Sequence, residues 1–290
     1  MDIKAELLLE LKYLNDFETK AINISTTSKH SPKFLLLPRR NSSDIGMSSF
    51  LIGEENIARN VIRTFDGKVD YIFIDIELKQ KINLLKIAKM NAVQSKLISI
   101  KPNDTTLESC DILIRRKFND DLINKNIVII GTGNLASKLA LRLCERQANV
   151  YIKGRTLEKE KNILNAINLF IPKYSRKVMS FDQIPQTERV DVIVSFLSGK
   201  FKEEHLLCPF IDRSTFIIDG GINNFSNNFI KSSLNKNILI TRLDTRIALP
   251  YQLLSIHNDT LNFFDNIYGT KTINNVQFVA GGVIGHEGAV

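Results

Sequence analysis

Gly131, Gly133 and Ala136 follow an unbroken apolar run, Ile127 to Ile130, and open a segment whose spacing predicts a helix from about Leu135 to Arg146. A run without polar alternation suits a parallel strand buried on both faces. The first glycine lets the chain turn sharply, and the second lets the backbone approach a pyrophosphate. The small third residue lets the helix pack on the strand. The helix N-terminal amides would then face the bound anion. Such a turn binds nucleotides, here through Gly131, Thr132, Gly133, Asn134, Leu135 and Ala136. The alternatives are a domain of this type that has lost its cofactor, or an ordinary strand–helix–strand unit with a tight turn.

A second apolar run, Val150 to Ile152, ends in Lys153-Gly154-Arg155-Thr156, with Lys159 close behind. A site for NAD usually places Asp or Glu at this strand end, where it accepts hydrogen bonds from the ribose. The basic tip here points to NADP instead. Arg155 can hold a 2′-phosphate in a fork geometry and Thr156 can donate a further hydrogen bond.

Hydride transfer also needs a group that moves a proton on or off the substrate. In an open parallel sheet the ligand lies beyond the carboxyl ends of the strands. The expected cleft between two domains would therefore collect Arg39, Arg40, Ser42 and Ser43, then Asp75 and Glu77, then Lys101 and Asp104. Ser198, Gly199, Asp219, Gly221 and the 281–286 loop with Gly282 and His286 would face them from the other side. Lys101 beside Asp104 is the candidate catalytic pair, since burial can lower a lysine pKa toward working pH. The same residues also suit a plain Pro-Asn-Asp turn. His286 titrates nearest neutrality, or is simply a surface residue. Asp75 and Glu77 are two apart and share a strand face; Arg39 and Arg40 could take a substrate carboxylate or sit at the surface. Asp219, in an apolar strand end before two glycines, is costly to bury without hydrogen bonds, and is read as a loop organiser or a direct ligand contact.

The elements that must position these residues alternate. Residues 2–20 carry leucines at helical spacing; FLLLP (34–38) reads as a short buried strand, and RRNSSDIGMSS as a polar turn leading to a helix near 54–65. YIFIDIE (71–77), a helix over 80–91 and KLISI (96–100) complete a βαβαβ pattern, the mark of a parallel sheet covered by helices. A helix from about Thr106 to Arg116 links to the second half, where strands are expected at 127–130, 150–152, 191–197, 215–222 and 237–244. After Ile256 the pattern is helical again. The fold class is α/β in two domains. Residues 1–115 form a three-layer substrate domain with a short parallel sheet, and 116–290 a Rossmann-type NADP-binding domain whose end may return to the first.

The bulk composition agrees with a globular chain of 290 residues, 43% hydrophobic and 24% charged. No apolar run approaches the roughly 20 residues of a membrane span, and the acidic, amphipathic N-terminus is neither a secretory signal nor a transit peptide. The cytoplasm is the expected location. Three scattered cysteines read as free thiols, and four histidines without cluster spacing give no metal site. The net charge of +8 is dispersed, so anionic small ligands account for it better than nucleic acid. The expected partner is a small-molecule substrate, with neither nucleic acid nor membrane, and a homodimer is left open.

The second half resembles the methylenetetrahydrofolate dehydrogenase/cyclohydrolases and, more distantly, shikimate dehydrogenase. The resemblance rests on NIVIIGTGNLASKLALRL, VYIKGRT, DVIVSFLSGK with STFIIDGGIN, and FVAGGVIGHEGAV, in that order over roughly residues 105–290. It implies a two-domain fold, NADP, and a closing Gly-rich loop from which a helix returns to the first domain. That implied helix extends past Val290, so a shortened chain or a rewritten C-terminus is expected. In the first half the family's Tyr-x-x-x-Lys pattern falls on SSFLIGEEN, giving Phe50 and Glu54 at a helix start, without the lysine of cyclohydrolase chemistry. Lys101 and Asp104 could instead supply the Lys and Asp that shikimate dehydrogenases turn toward substrate. The expected function is an NADP(H)-dependent dehydrogenase for a small polar or anionic substrate, with folate-type one-carbon oxidation one form of it. The alternatives are a nucleotide-sensing or scaffold protein without catalysis, and a biosynthetic partner that binds an enzyme or carrier protein.

Overall fold

A computed structural model describes residues 2–27, 32–42, 44–221, 223–267 and 270–279. The chain divides into two compact units: residues 1–102 with 249–290, and residues 103–248. The division differs from the expected boundary at 115/116. The helix after residue 102 counts with the second unit, and the segment from Leu249 counts with the first.

In the first unit, helix α1 (Ile3–Leu14) starts at Asp2, whose carboxylate caps the amides of Lys4 and Ala5. Strands β1 (Thr19–Ser25), β2 (Phe34–Ser42) and β3 (Ile45–Ile52) follow. Helix α2 (Glu55–Phe65), β4 (Tyr71–Asp75), α3 (Leu84–Asn91) and β5 (Lys96–Ile100) come next. The sheet order is β2-β3-β1-β4-β5, parallel except for the antiparallel β2–β3 pair. One face, with Ile22, Ile24, Phe50, Ile52, Ile72 and Ile74, packs under α1, α2 and α3.

Three expectations for this half are corrected. FLLLP belongs to a half-exposed edge strand, where Pro38 is tolerated beside a register shift between Leu37 and Arg40. Of the segment read as a polar turn, 39–49, residues 39–42 belong to β2 and 45–49 to β3. Phe50 lies in β3, fully buried against Phe34 and Phe65, and not on a helix with Glu54. Ser48 looked like turn material, yet it is buried in β3 because its hydroxyl donates to the buried Glu10 at 2.6 Å.

The second unit opens with helix α4 (Pro102–Lys117). Next come β6 (Asn126–Ile130), α5 (Asn134–Glu145), β7 (Asn149–Lys153) and α6 (Leu157–Phe170). The rest is β8 (Met179–Ser180), β9 (Val192–Ser195), β10 (Phe216–Asp219), α7 (Asn227–Asn235) and β11 (Leu239–Arg242). The strand order is β11-β10-β9-β6-β7-β8, parallel throughout. Alternate residues feed two cores, Ile127, Ile129, Val192 and Val194 toward α4 and α5, Val128, Ile130, Ile193 and Ile217 toward the opposite face. Helices α4 and α5 are also tied by charge. Asp111, wholly buried, meets the guanidinium of Arg146 at 2.9 Å and that of Arg115 at 3.1 Å.

The chain ends in α8 (Leu249–Leu254), α9 (Asn258–Ile267) and an antiparallel pair, β12 (Thr270–Ile273) and β13 (Val276–Val279). Leu249, Leu253 and Ile256 pack on Ala21, Ile45, Met47 and Phe73, the second face of the first unit's sheet.

Candidate nucleotide-binding site

Strand β6 and helix α5 are joined by Gly131-Thr132-Gly133. Gly131 takes a φ of +136°, which an L side chain rarely adopts, and an added Cβ would stand 3.0 Å from the Phe196 carbonyl. Its amide donates to the Lys153 carbonyl at 2.9 Å, so the loop is tied to the end of β7. Gly133 is different. Its φ of −92° and ψ of −179° suit any residue, and an added Cβ would meet nothing within 4 Å. Among the described residues nothing requires glycine there, and the space above it is open to a ligand. Gly133 is also the N-cap of α5 and supplies no side-chain cap. The first-turn amides of Asn134, Leu135 and Ala136 are thus left for an anion. Ala136, wholly buried, gives the close helix–strand approach that its size predicts.

At the end of β7, the Gly154 amide donates to the buried Glu160 carboxylate at 2.7 Å. Glu160 also accepts from the Ser180 hydroxyl. The acid nearest this strand end is therefore committed to the protein, and the exposed tip is Arg155-Thr156. Arg155 makes no hydrogen bond or ion pair with any described residue; Thr156 is the N-cap of α6 without a side-chain cap bond.

A cavity of about 330 Å³ opens beside this tip. Ile130, Lys153, Gly154 and Arg155 line it from the β6 and β7 ends, and Leu197, Lys200, Phe201, Lys202 and Glu203 from the loop after β9. Ser198 and Gly199 lie in that same loop, both exposed, and an added Cβ on Gly199 would meet open space.

The loop after β9 is held by Asn224, wholly buried and not singled out from the sequence. Its side-chain oxygen accepts from the Ser195 hydroxyl at 2.9 Å and the Leu197 amide at 3.1 Å. Its side-chain amide donates to the carbonyls of Leu197 at 3.0 Å and Gly199 at 2.9 Å. The Phe201 amide donates to the Asn224 carbonyl at 2.7 Å. Gly221 lies beneath this side chain, where an added Cβ would fall 2.4 Å from the Asn224 Oδ1. Asp219 acts one step further back: its Oδ2 accepts the Asn224 amide at 3.2 Å, and its Oδ1 is buried with no hydrogen-bond partner among the described residues. Burial pushes the Asp219 carboxyl above the usual range despite these backbone bonds.

The other candidates are placed as follows. Asp104 lies in the first turn of α4 and accepts Lys138 Nζ at 2.9 Å. Lys101 stands directly before that helix. Arg39 is engaged by Glu10, with its Nη2 at 2.9 Å and its guanidinium over the Tyr13 ring. Arg39 is thus a structural cation of the first unit and not a free carboxylate receptor. Asp75 is buried at the end of β4, where it accepts the amides of Thr26 and Glu77 and pairs with Lys79. Burial raises its pKa against those partners. Ser42 ends β2. Ser43, Gly282 and His286 lie outside the described residues. Among the described residues, no His, Cys, Asp and Glu group could hold a metal, and no helix is long and apolar enough to cross a membrane.

Residues 112–202, from within α4 to the last lysine of the cavity, match the family model described as Shikimate / quinate 5-dehydrogenase. A shikimate dehydrogenase in complex with NADP+ superposes with a TM-score of 0.50 at 17% identity, covering 87% of this chain and 97% of that one. The fold is of the shikimate dehydrogenase type. The L-tryptophan dehydrogenase of Nostoc punctiforme gives a TM-score of 0.47 at 14% identity, over 84% of this chain and 75% of that one. The shikimate dehydrogenase of Aquifex aeolicus gives 0.44 at 17%, over 83% and 93%. No curated protein matches the sequence. The family match over residues 112–202 supports the shikimate dehydrogenase side of the resemblance seen in the sequence, and the methylenetetrahydrofolate dehydrogenase side is not shown.

Proposed function

We propose that the protein is an NADP(H)-dependent oxidoreductase acting on a small polar or anionic substrate. The observation that carries this reading is Gly133: a glycine that the fold does not need, at the head of an uncapped helix, beside a cavity edged by an unpartnered Arg155. The pyrophosphate would be held by the amides from Gly131 to Ala136, and the 2′-phosphate by Arg155 with Thr156. When bound, the nicotinamide supplies or accepts the hydride. Asn224 keeps the loop of Ser198 and Gly199 in one shape for the cofactor to meet. Lys101 is proposed as the proton-handling residue, with Asp104, engaged by Lys138, as its charge partner. A folate-type substrate is less supported, because the position read as its helix start is the buried strand residue Phe50. A nucleotide-sensing protein without catalysis is the second reading. It is favoured by Arg39, one of the first unit's candidate substrate cations, being taken by Glu10.

Titration with NADPH and NADH, followed by nicotinamide fluorescence, tests the cofactor assignment. NADPH should bind far more tightly, and Arg155→Ala should remove most of the preference, about 1.5–3 kcal/mol for a charge-assisted contact. Arg155 is exposed and unpartnered, so the variant should unfold within about 0.5 kcal/mol of the parent. A preference that survives the substitution would overturn the role of Arg155. Turnover with a carbonyl or imine panel separates the enzyme from the sensor.

A further inference from the structure

The cavity beside Arg155 carries more positive charge than one arginine. Lys200 and Lys202 line it as well, from the loop after β9, and both are exposed. Neither makes an ion pair with a described residue, in contrast to Lys153, which faces Asp182 at 3.3 Å and Glu203 at 3.8 Å. Among the described residues that line the cavity Glu203 is the one carboxylate, and Lys153 offsets it. Arg155, Lys200 and Lys202 therefore remain as three cations around one space. Like charges gathered around one space raise the local potential, so they favour an anion placed among them.

The loop that carries the lysines is also held in place. Phe201 between them is buried in the core beneath the sheet, and its amide is bound to the Asn224 carbonyl. Asn224 anchors Leu197 and Gly199 just upstream. A cation presented from a preformed loop loses less freedom on binding than one on a mobile segment.

Building on the NADP(H) reading, we propose that Lys200 and Lys202 join Arg155 as a three-cation clamp for a phosphate monoester on the adenosine ribose, and so determine nucleotide selectivity. A phosphate monoester carries a charge of about −1.5 to −2 near neutral pH, which two or three cations match. An unphosphorylated ribose would leave all three without a partner.

Equilibrium binding of adenosine 2′,5′-bisphosphate and of 5′-AMP, by calorimetry on the full chain, tests the clamp without any turnover. The parent should prefer the bisphosphate. Lys200→Ala and Lys202→Ala should each weaken it about tenfold, leave 5′-AMP within about twofold, and make the remaining affinity less sensitive to added salt. Lys200→Gln and Lys202→Gln, which keep the stem, should behave alike, and unchanged thermal unfolding will show that the fold is intact. Bisphosphate preference undiminished in the lysine variants would overturn the clamp and leave the Arg155 reading standing. Equal weakening of both nucleotides would also overturn it, placing the lysines on a shared part of the ligand. A parent that binds neither nucleotide overturns the NADP(H) reading itself.

Discussion

Replacing Gly133 by aspartate should stabilise the free protein and abolish nucleotide binding, two effects of one carboxylate. Gly133 has the extended backbone of an N-cap, with φ −92° and ψ −179°, and α5 has no side-chain cap. An added Cβ meets no atom within 4 Å. Aspartate is among the best N-cap residues and glycine only somewhat poorer, a gain of a few tenths of a kcal/mol. Its charge at the helix N-terminus adds about 0.3–1 kcal/mol. A total near 0.5–1 kcal/mol raises the midpoint by about 1–4 °C, at roughly 2–4 °C per kcal/mol for a domain of this size. The same carboxylate then occupies the amides that a pyrophosphate would use. It also repels it: two unit charges about 4 Å apart near a surface interact by up to about 4 kcal/mol. NADPH affinity should fall at least about a hundredfold, which corresponds to about 2.8 kcal/mol. Thermal unfolding without ligand and a fluorescence titration with NADPH read the two effects separately. Gly133→Ser, which caps without charge, should raise the midpoint less and weaken NADPH less. A Gly133→Asp protein that melts earlier, or that keeps NADPH affinity within tenfold, would refute the inference that this glycine serves the ligand.

Three further outcomes follow from the same geometry. Asn224→Ala strands the Leu197 amide and two carbonyls in a buried place, at a cost of about 2–4 kcal/mol; a loss in urea unfolding below 1 kcal/mol would show that the loop does not depend on it. Burial raises the Asp75 pKa, so its contribution to stability is present at acid pH and is lost as pH rises through the folded value. Urea unfolding at pH 4 and pH 7 should therefore find Asp75→Asn gaining on the parent at the higher pH, and a relative loss there would contradict the sign. Burial also pushes the Cys110 thiol far up, and Cys144 is buried, while Cys208 is exposed. A thiol reagent should titrate one cysteine in the native chain and three in denaturant, and rapid native reaction of a second would show that the α4–α5 core opens readily.

The nucleotide unit was readable because its strands are buried on both faces. NIVII in β6 is buried at every position, and such a strand shows as an uninterrupted apolar run. The first unit hid its strands behind polar residues with tertiary partners. Strand β1, central in its sheet, carries Lys20 and Asn23 among its apolar residues, and the helical leucines before it masked its start. In β3 the Ser48-Ser49 pair reads as a turn until Glu10 of α1 is seen beneath Ser48. Strand β2 holds Pro38, Arg39 and Arg40 because it is an edge, where proline and charge also discourage further pairing. Local pattern cannot report any of these, since each is decided by a residue far along the chain.

The site divides in the same way. Gly131, Gly133 and Arg155 could be read from order and type, because a turn and a strand end are local. Asn224 could not, since the partners of its side chain lie 25 to 29 residues away and are mostly backbone groups. Lys200 and Lys202 left a fainter local signal, a lysine on each side of a phenylalanine. Once Phe201 is known to enter the core, the two cations must emerge on the surface around it. What no pattern conveys is that Lys153 is already paired while its three neighbours are not. In the proposed clamp that imbalance of charge, more than the glycine spacing, is what would favour a phosphorylated ribose over an unphosphorylated one.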